Sequence, residues 1–235
     1  MTSFILKIIA MATMVVDHFG DAYFKQISWL NLIGRIAFPI FAFQISEGYL
    51  HTKNLKKYFL RLFLFALVSQ IPFMLFYSIY TDGFTLNIFF TLFIGLLAIF
   101  QYDKITHFSF KSIKNEKLNI FFRYLLSFTI VILLGVLAQV CCFDYGFFGI
   151  TIIFLFYLFR NNKIAMILSF ILACVLKYGI PYLDTFNLWY IWLIIFTIIP
   201  IVFISLYNKK QGPKVKYLLY FFYPVHLLIL YILFR

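Results

Sequence analysis

Long, continuously apolar runs separated by short polar breaks dominate this chain, and that pattern admits few folds. A helix needs roughly 20 mostly apolar residues to cross the hydrocarbon core of a bilayer. Nine runs approach that length, near residues 4–22, 29–50, 58–79, 85–101, 118–141, 146–160, 163–181, 188–207 and 217–234. The sixth is the shortest, and the first two carry charges. Barrel strands would alternate apolar and polar positions over about 10 residues. These runs do not alternate, so helices must satisfy the backbone polar groups internally. Hydrophobic residues make up 64% of the chain and charged residues 12%, against roughly 45–50% and 25% in soluble domains. A soluble globule could not cover such a surface with polar atoms, and a disordered chain is far less apolar. The expectation is one all-α, multi-pass membrane bundle of about nine transmembrane helices over 1–235.

The net charge of +12 is placed rather than spread. Lys53, Lys56, Lys57 and Arg61 follow the second run. Lys104, Lys111, Lys114, Lys117 and Arg123 follow the fourth, Arg160 and Lys163 the sixth, and Lys209, Lys210, Lys214 and Lys216 the eighth. The opposite side carries only Lys25, Lys177 and Arg235. Cations collect in cytoplasmic loops, so the N-terminus is expected in the cytoplasm. The basic residues thus read as topology signals rather than a nucleic-acid surface, and no nucleic-acid motif accompanies them. Cys141, Cys142 and Cys174 form no disulfide framework or zinc spacing and are expected as buried thiols. No cleavable signal peptide is expected, since the first run lacks a small-residue cleavage site.

Ionisable residues inside the runs are costly, about 2.5–3.5 kcal/mol each at mid-helix, and therefore mark candidate sites. The first run carries Lys7, Asp17 and His18. Lys7 and His18 are close to three helical turns apart, on one face, with His18 about 16 Å deeper. A buried histidine is a natural general base, and a cation on its face is suited to an anionic ligand part; the plain alternative is a wet headgroup position. Arg35 in the second run shares the depth of Asp17, either as a structural partner or as a substrate contact. Glu47 and His51 are an i, i+4 pair near the cytoplasmic end, placed to steer a donor or to cap the helix. Pro39 is expected to kink this run. Tyr223, Pro224 and His226 suggest a cavity wall in the cytoplasmic half of the last run. Asn87 and Asp144 fall on the outer side, Asp144 in a DYG stretch that equally reads as a turn. Trp29, Trp189 and Trp192 are expected at the outer boundary.

In order, LKIIAMATMVVDHFG, GRIAFPIFAFQISEGYLHTKNLKKYFLRLFLFALVSQIPF, NIFFTLFIGLLA, DYGFFGI and GPKVKYLLYFFYPVHLLIL resemble the blocks of the TraX family, from residue 6 to about 231. That resemblance implies residence in the cytoplasmic membrane and acetylation of a pilin N-terminus. The family is in turn similar to integral-membrane acyltransferases that draw on cytoplasmic acetyl-CoA. Those enzymes share a first span with Arg or Lys, ten residues, then His, and Lys7 and His18 match that spacing. By resemblance, His18 is the acyl-transfer histidine and Lys7 a donor-binding cation; the Asp17 side chain points about 100° away on the helix, towards a pairing with Arg35.

The expected activity is acetyl transfer from acetyl-CoA to an amine or hydroxyl of a membrane or envelope acceptor, without a metal. His18 and Asp17 are expected as catalytic, Lys7, Glu47, His51, Tyr223 and His226 as donor-binding, and Arg35, Asn87 and Asp144 as acceptor-binding. Acetyl-CoA, membrane lipids and an envelope acceptor are the expected partners. The rival is a proton-coupled transporter or flippase, in which the same ionisable residues relay protons.

Overall fold

The computed structural model describes residues 1–110, 113–213 and 216–235. Lys111 and Lys214, two of the loop cations above, and the side chain of Lys216 lie outside the described residues. The described chain is helical, with one isolated bridge between Leu86 and Phe143. In order, the helices are α1 (Ser3–Phe24), α2 (Trp29–Gly34), α3 (Ala37–His51), α4 (Leu55–Tyr77), α5 (Ile88–Thr106), α6 (Glu116–Val140), α7 (Gly146–Leu158), α8 (Lys163–Thr185), α9 (Trp189–Ile198), α10 (Pro200–Ser205) and α11 (Lys216–Phe234).

Each expected apolar run is helical, but the runs are not equivalent. Among the described residues six segments are long and apolar enough to cross a bilayer: α1, α2–α3 together, α4, α5, α6 and α8. The segments at 146–158 and 189–205 are apolar but shorter, and 220–234 is the apolar stretch described within the 19-residue α11. The protein is thus a helical membrane bundle with six full-length candidate spans, not nine of one kind. α7 is short because it lies between the turns at 141–145 and 159–162.

Asparagines start several helices. Asn54, Asn115 and Asn162 each accept a backbone N–H three residues on, at 2.9, 3.3 and 3.1 Å, satisfying a donor that a helix start leaves open. Pro72, Pro181 and Pro224 lie inside α4, α8 and α11, which continue through them, but Pro39 falls in the first turn after a junction. Pro39 cannot donate to the carbonyl four residues back, and its ring crowds that carbonyl. That residue is Arg35, and the break between α2 and α3 falls at Arg35–Ile36. The kink expected from Pro39 therefore appears as a short turn at Arg35–Ile36, where both residues keep helical dihedrals and α2–α3 still forms one candidate span.

α5 and α7 lie in the middle of the bundle, with Leu96, Ile99, Ile152 and Phe156 buried to within 1%. α6 and α8 are peripheral and turn Leu133, Val140, Ile164 and Leu168 outward. Burial of the apolar side chains that face inward, such as Leu6, Ile40, Phe76 and Leu227, closes the core around the site. Trp29 meets Trp189 and Trp192 at ring distances of 5.4 and 5.7 Å, joining the start of α2 to α9. Backbone bonds from Ser3 to Lys210 (2.9 Å) and from Phe4 to Gln211 (3.1 Å) put the N-terminus against the loop before α11. Cys174 is buried as expected, whereas Cys141 and Cys142 are exposed, because they fall in the turn after α6 rather than inside it.

Gly20 on α1, against Leu30, and Gly34 on α2, against Asp17, set the distance between the two helices. A Cβ on Gly34 would overlap the Asp17 carboxyl group. Gly34→Ala is expected to cost roughly 1–3 kcal/mol by overpacking and to lower the detergent melting temperature. Gly83→Ala, whose Cβ would meet nothing closer than 3.5 Å, serves as the control and should leave it unchanged.

Candidate active site

Two cavities enter the bundle from opposite ends of α1. The larger, about 590 Å³, is lined by Lys7, Gln44, Glu47, His51, Lys53, Arg61, Lys209 and Tyr220, with Phe41, Tyr58, Phe89 and Tyr207 on its apolar walls. The smaller, about 200 Å³, is lined by Asp17, His18, Asp21, Arg35, Tyr77, Tyr80, Asp144 and Tyr145. Met14, Phe41, Ile88 and Tyr223 line both. The two spaces therefore meet across these four side chains. Lys7 and His18, on one face of α1, fall in different cavities, consistent with their three-turn separation.

The larger cavity is cationic at its rim. Lys7, Lys53, Arg61 and Lys209 come from α1, the loop after α3, α4 and the loop before α11. Glu47 and His51 are paired at 3.5 Å on one face of α3, with His51 largely exposed. The Arg61 guanidinium lies 5.7 Å from the Tyr58 ring centre. Cations over aromatic walls suit a ligand that carries both phosphates and a ring system.

The smaller cavity rests on a polar network. Asn31 donates through Nδ2 to Asp17 Oδ1 at 2.9 Å and to Asp21 Oδ1 at 2.6 Å. Its Oδ1 accepts from the Ser28 backbone at 2.7 Å and from the Ser28 hydroxyl at 3.0 Å. Arg35 donates from Nε to the Asn31 carbonyl at 3.1 Å, and its Nη2 is 3.4 Å from Asp17 Oδ1. Asp17 thus pairs with Arg35, as its placement away from His18 on the helix requires. The bridge between Leu86 and Phe143 brings the Asp144 segment over the cavity, and Asp144 N donates to the Leu86 carbonyl at 2.8 Å. The Thr91 hydroxyl donates to the Asp144 carbonyl. Tyr145 has φ of 64°, a left-handed conformation that non-glycine residues seldom adopt. It stacks on Phe38 at 3.9 Å, with Arg35 5.9 Å from its ring centre. Strain of this kind survives where packing over-determines it, often beside functional groups.

His18 lies against Phe76, with ring centres 5.2 Å apart, and its Nδ1 is 2.8 Å from Nε2 of His226. His226 therefore meets His18 rather than lining the larger cavity, as the donor-binding expectation had it. The reason is depth: two turns of helix past Tyr220, which does line the larger cavity, α11 has risen to the level of His18. Tyr223 lies between, on the wall that both cavities share.

Asn87 lines neither cavity. Its Oδ1 caps α5 by accepting from Phe89 N at 3.0 Å, and its Nδ2 donates to the Ala66 carbonyl and to Gln70 Oε1, both at 2.8 Å. With every polar atom committed to the scaffold, it has none to offer an acceptor. Sequence reasoning passed over Asp21, Asn31, Tyr80, Tyr145 and the role of Arg61 as a cavity wall. Asp21 was legible: it stands four residues after Asp17, on the same face. Asn31 and Tyr145 were not, because only the α1–α2 turn and the 141–145 turn bring them in. No group of three or more His, Cys, Asp or Glu able to hold a metal occurs among the described residues.

This is a multi-helix membrane protein with a polar, two-chambered interior. The chain belongs to the TraX family: residues 3–234 match the family described as TraX protein. It is similar to the probable fimbrial assembly protein FimC, serogroup H1, of Dichelobacter nodosus, at 26% identity over 97% of this chain and 94% of that protein. No solved structure matches it.

If Asp17 and Arg35 depend on one another, Arg35→Leu should destabilise the bundle by about 3–5 kcal/mol by stranding a buried carboxylate. Pairing it with Asp17→Asn should recover part of that loss. Chemical denaturation in detergent reads this out, and equal losses in both variants would contradict the pairing.

Proposed function

We propose that this protein is a membrane-embedded acetyltransferase. It takes acetyl groups from cytoplasmic acetyl-CoA and passes them to an amine or hydroxyl of a membrane or envelope acceptor. The observation that carries this reading is the pair of cavities meeting at Met14, Phe41, Ile88 and Tyr223, with cations around one and His18 in the other. In this reading all nine apolar segments cross or enter the cytoplasmic membrane, with the N-terminus inside. Lys53 and Lys209 then edge the larger cavity at the cytoplasmic face, where the pattern of loop cations places them. The name of the Dichelobacter relative, a probable fimbrial assembly protein, agrees with an acceptor belonging to a surface fibre.

Lys7, Lys53, Arg61 and Lys209 hold the donor's phosphates, and the Tyr58, Tyr207 and Tyr220 walls take its apolar and ring parts. The thioester reaches the junction beside Tyr223. The acceptor enters the smaller cavity, where Asp21, Asp144 and Tyr80 supply polar contacts. His18 removes the proton from the acceptor nitrogen or oxygen as that atom bonds to the thioester carbonyl carbon. The carbon–sulfur bond breaks, and the leaving thiolate takes the proton back from the imidazolium. Arg35 and Asp17 hold α1 and α2 in register beneath the reacting atoms.

His18→Ala should lower kcat for acetyl transfer in membranes by about 10²–10⁴-fold, the usual worth of a general base; undiminished turnover would remove His18 from the reaction. Lys7→Ala should raise the KM for acetyl-CoA more than it lowers kcat, because its contact is made before the transition state as well as in it. Steady-state kinetics with purified protein separates the two constants.

A further inference from the structure

His226 is the second imidazole of the interior, and the reaction described above does not use it. It is 7% exposed, two residues beyond Pro224 in α11. Its Nδ1 lies 2.8 Å from the Phe222 carbonyl oxygen, and its Nε2 lies 2.8 Å from Nδ1 of His18. A carbonyl oxygen can only accept, so the proton of the first bond sits on Nδ1 of His226. A neutral imidazole protonated there has a bare lone pair on Nε2. That lone pair faces His18 Nδ1, so the proton of the second bond belongs to His18. The chain of bonds thus runs in one direction, from His18 to His226 to the α11 backbone.

The ring geometry agrees. The two imidazoles are inclined by only 10°, with centres 5.1 Å apart. Their centres are farther apart than their facing nitrogens by about two ring radii, so the rings lie edge to edge in nearly one plane. That is the arrangement of an in-plane N–H···N bond, not of a face-to-face stack. Phe222 lies parallel to His226 at 4.8 Å and Tyr223 stands edge-on to it at 5.6 Å, which fixes the ring that does the accepting. Among the described residues Nε2 of His18 has no hydrogen-bond partner, and His18 lines the smaller cavity.

We propose that His226 is a positioning residue: it holds His18 as the Nδ1–H tautomer and so leaves Nε2 as its basic nitrogen. The catalytic consequence rests on the acetyl-transfer reading; the tautomer does not. His226 fills the place that a carboxylate occupies behind many catalytic histidines, fixing tautomer and ring orientation. Being neutral, it brings no further charge into an apolar interior that already holds Asp17 and Arg35. When His18 takes the acceptor's proton on Nε2, its Nδ1–H stays donated to His226, and no second proton moves.

Two readouts on the full-length protein in detergent test this. The first is nitrogen-15 NMR of histidine-labelled protein, with His18 assigned by its loss in His18→Gln. Wild-type His18 should resonate as the Nδ1–H form. In His226→Ala it should move towards the Nε2–H form, and in His226→Gln, whose side-chain oxygen can still accept, it should remain Nδ1–H. A wild-type His18 in the Nε2–H form overturns the proposal without any variant having to fold. The second readout is acetyl-transfer kinetics. His226→Ala should lower kcat by about 10²-fold with the KM for acetyl-CoA unchanged, within the range a general base supplies. His226→Gln should restore most of that loss. A raised KM with unchanged kcat would put His226 in donor binding instead and overturn the positioning role. The Nδ1–H form with no turnover in any protein would leave the tautomer standing and remove the acetyl-transfer reading.

Discussion

Charge inside an apolar bundle has to be answered by a partner, and the Asp17–Asn31–Arg35 network is where this protein answers it. An unpaired ion at membrane depth costs several kcal/mol. Three segments therefore have to meet: α1 with Asp17 and Asp21, the start of α2 with its cap Ser28 and Asn31, and the α2–α3 junction with Arg35. Gly34 permits the approach, and Pro39, four residues on, cannot donate to the Arg35 carbonyl. Once α1 is fixed in this way, its opposite turns carry Lys7 and His18 into separate chambers. The polar network is thus the footing of both chambers.

The architecture was legible in the sequence because it follows from a single physical demand. Apolar runs of bilayer length must be helices, and each of the nine runs is helical. Their inequality was less legible. Length in sequence does not reveal that Pro200 parts α9 from α10, nor that α6 and α8 stay at the periphery while α5 and α7 are enclosed. The ionisable residues of α1 could be placed because helical periodicity relates Lys7, Asp17 and His18 directly. Tyr145 could not, since its position depends on a left-handed turn and on the Leu86–Phe143 bridge. Asn87 misled because a polar residue at a helix start serves equally as a ligand contact or a cap, and only its partners tell the two apart.

Histidine 226 shows the same limit from the other side. Its position beside a proline suggested a cavity wall, and reasoning along one helix placed it with the donor. Depth within the bundle depends on how α11 packs against α4 and α1, which a pattern along one segment does not contain. The Tyr49 and Tyr157 hydroxyls, which grip Asp103 at 2.7 and 2.8 Å, are another long-range junction of this kind, binding α3 and α7 to α5 near its Lys104 end.

The hydrogen bond between His18 and His226 spans 208 positions of the chain. The first of these helices is made early in translation and the other after nearly everything else has been threaded into the lipid. Between those moments the rim of the larger chamber also lacks Lys209 and Tyr220. A nascent chain carrying α1 to α8 would therefore hold its polar network without a finished interior, and both chambers would gain their last walls only when α11 slides in. Insertion of that one helix is therefore the step that gives the interior its final shape, and it can come only at the end of synthesis.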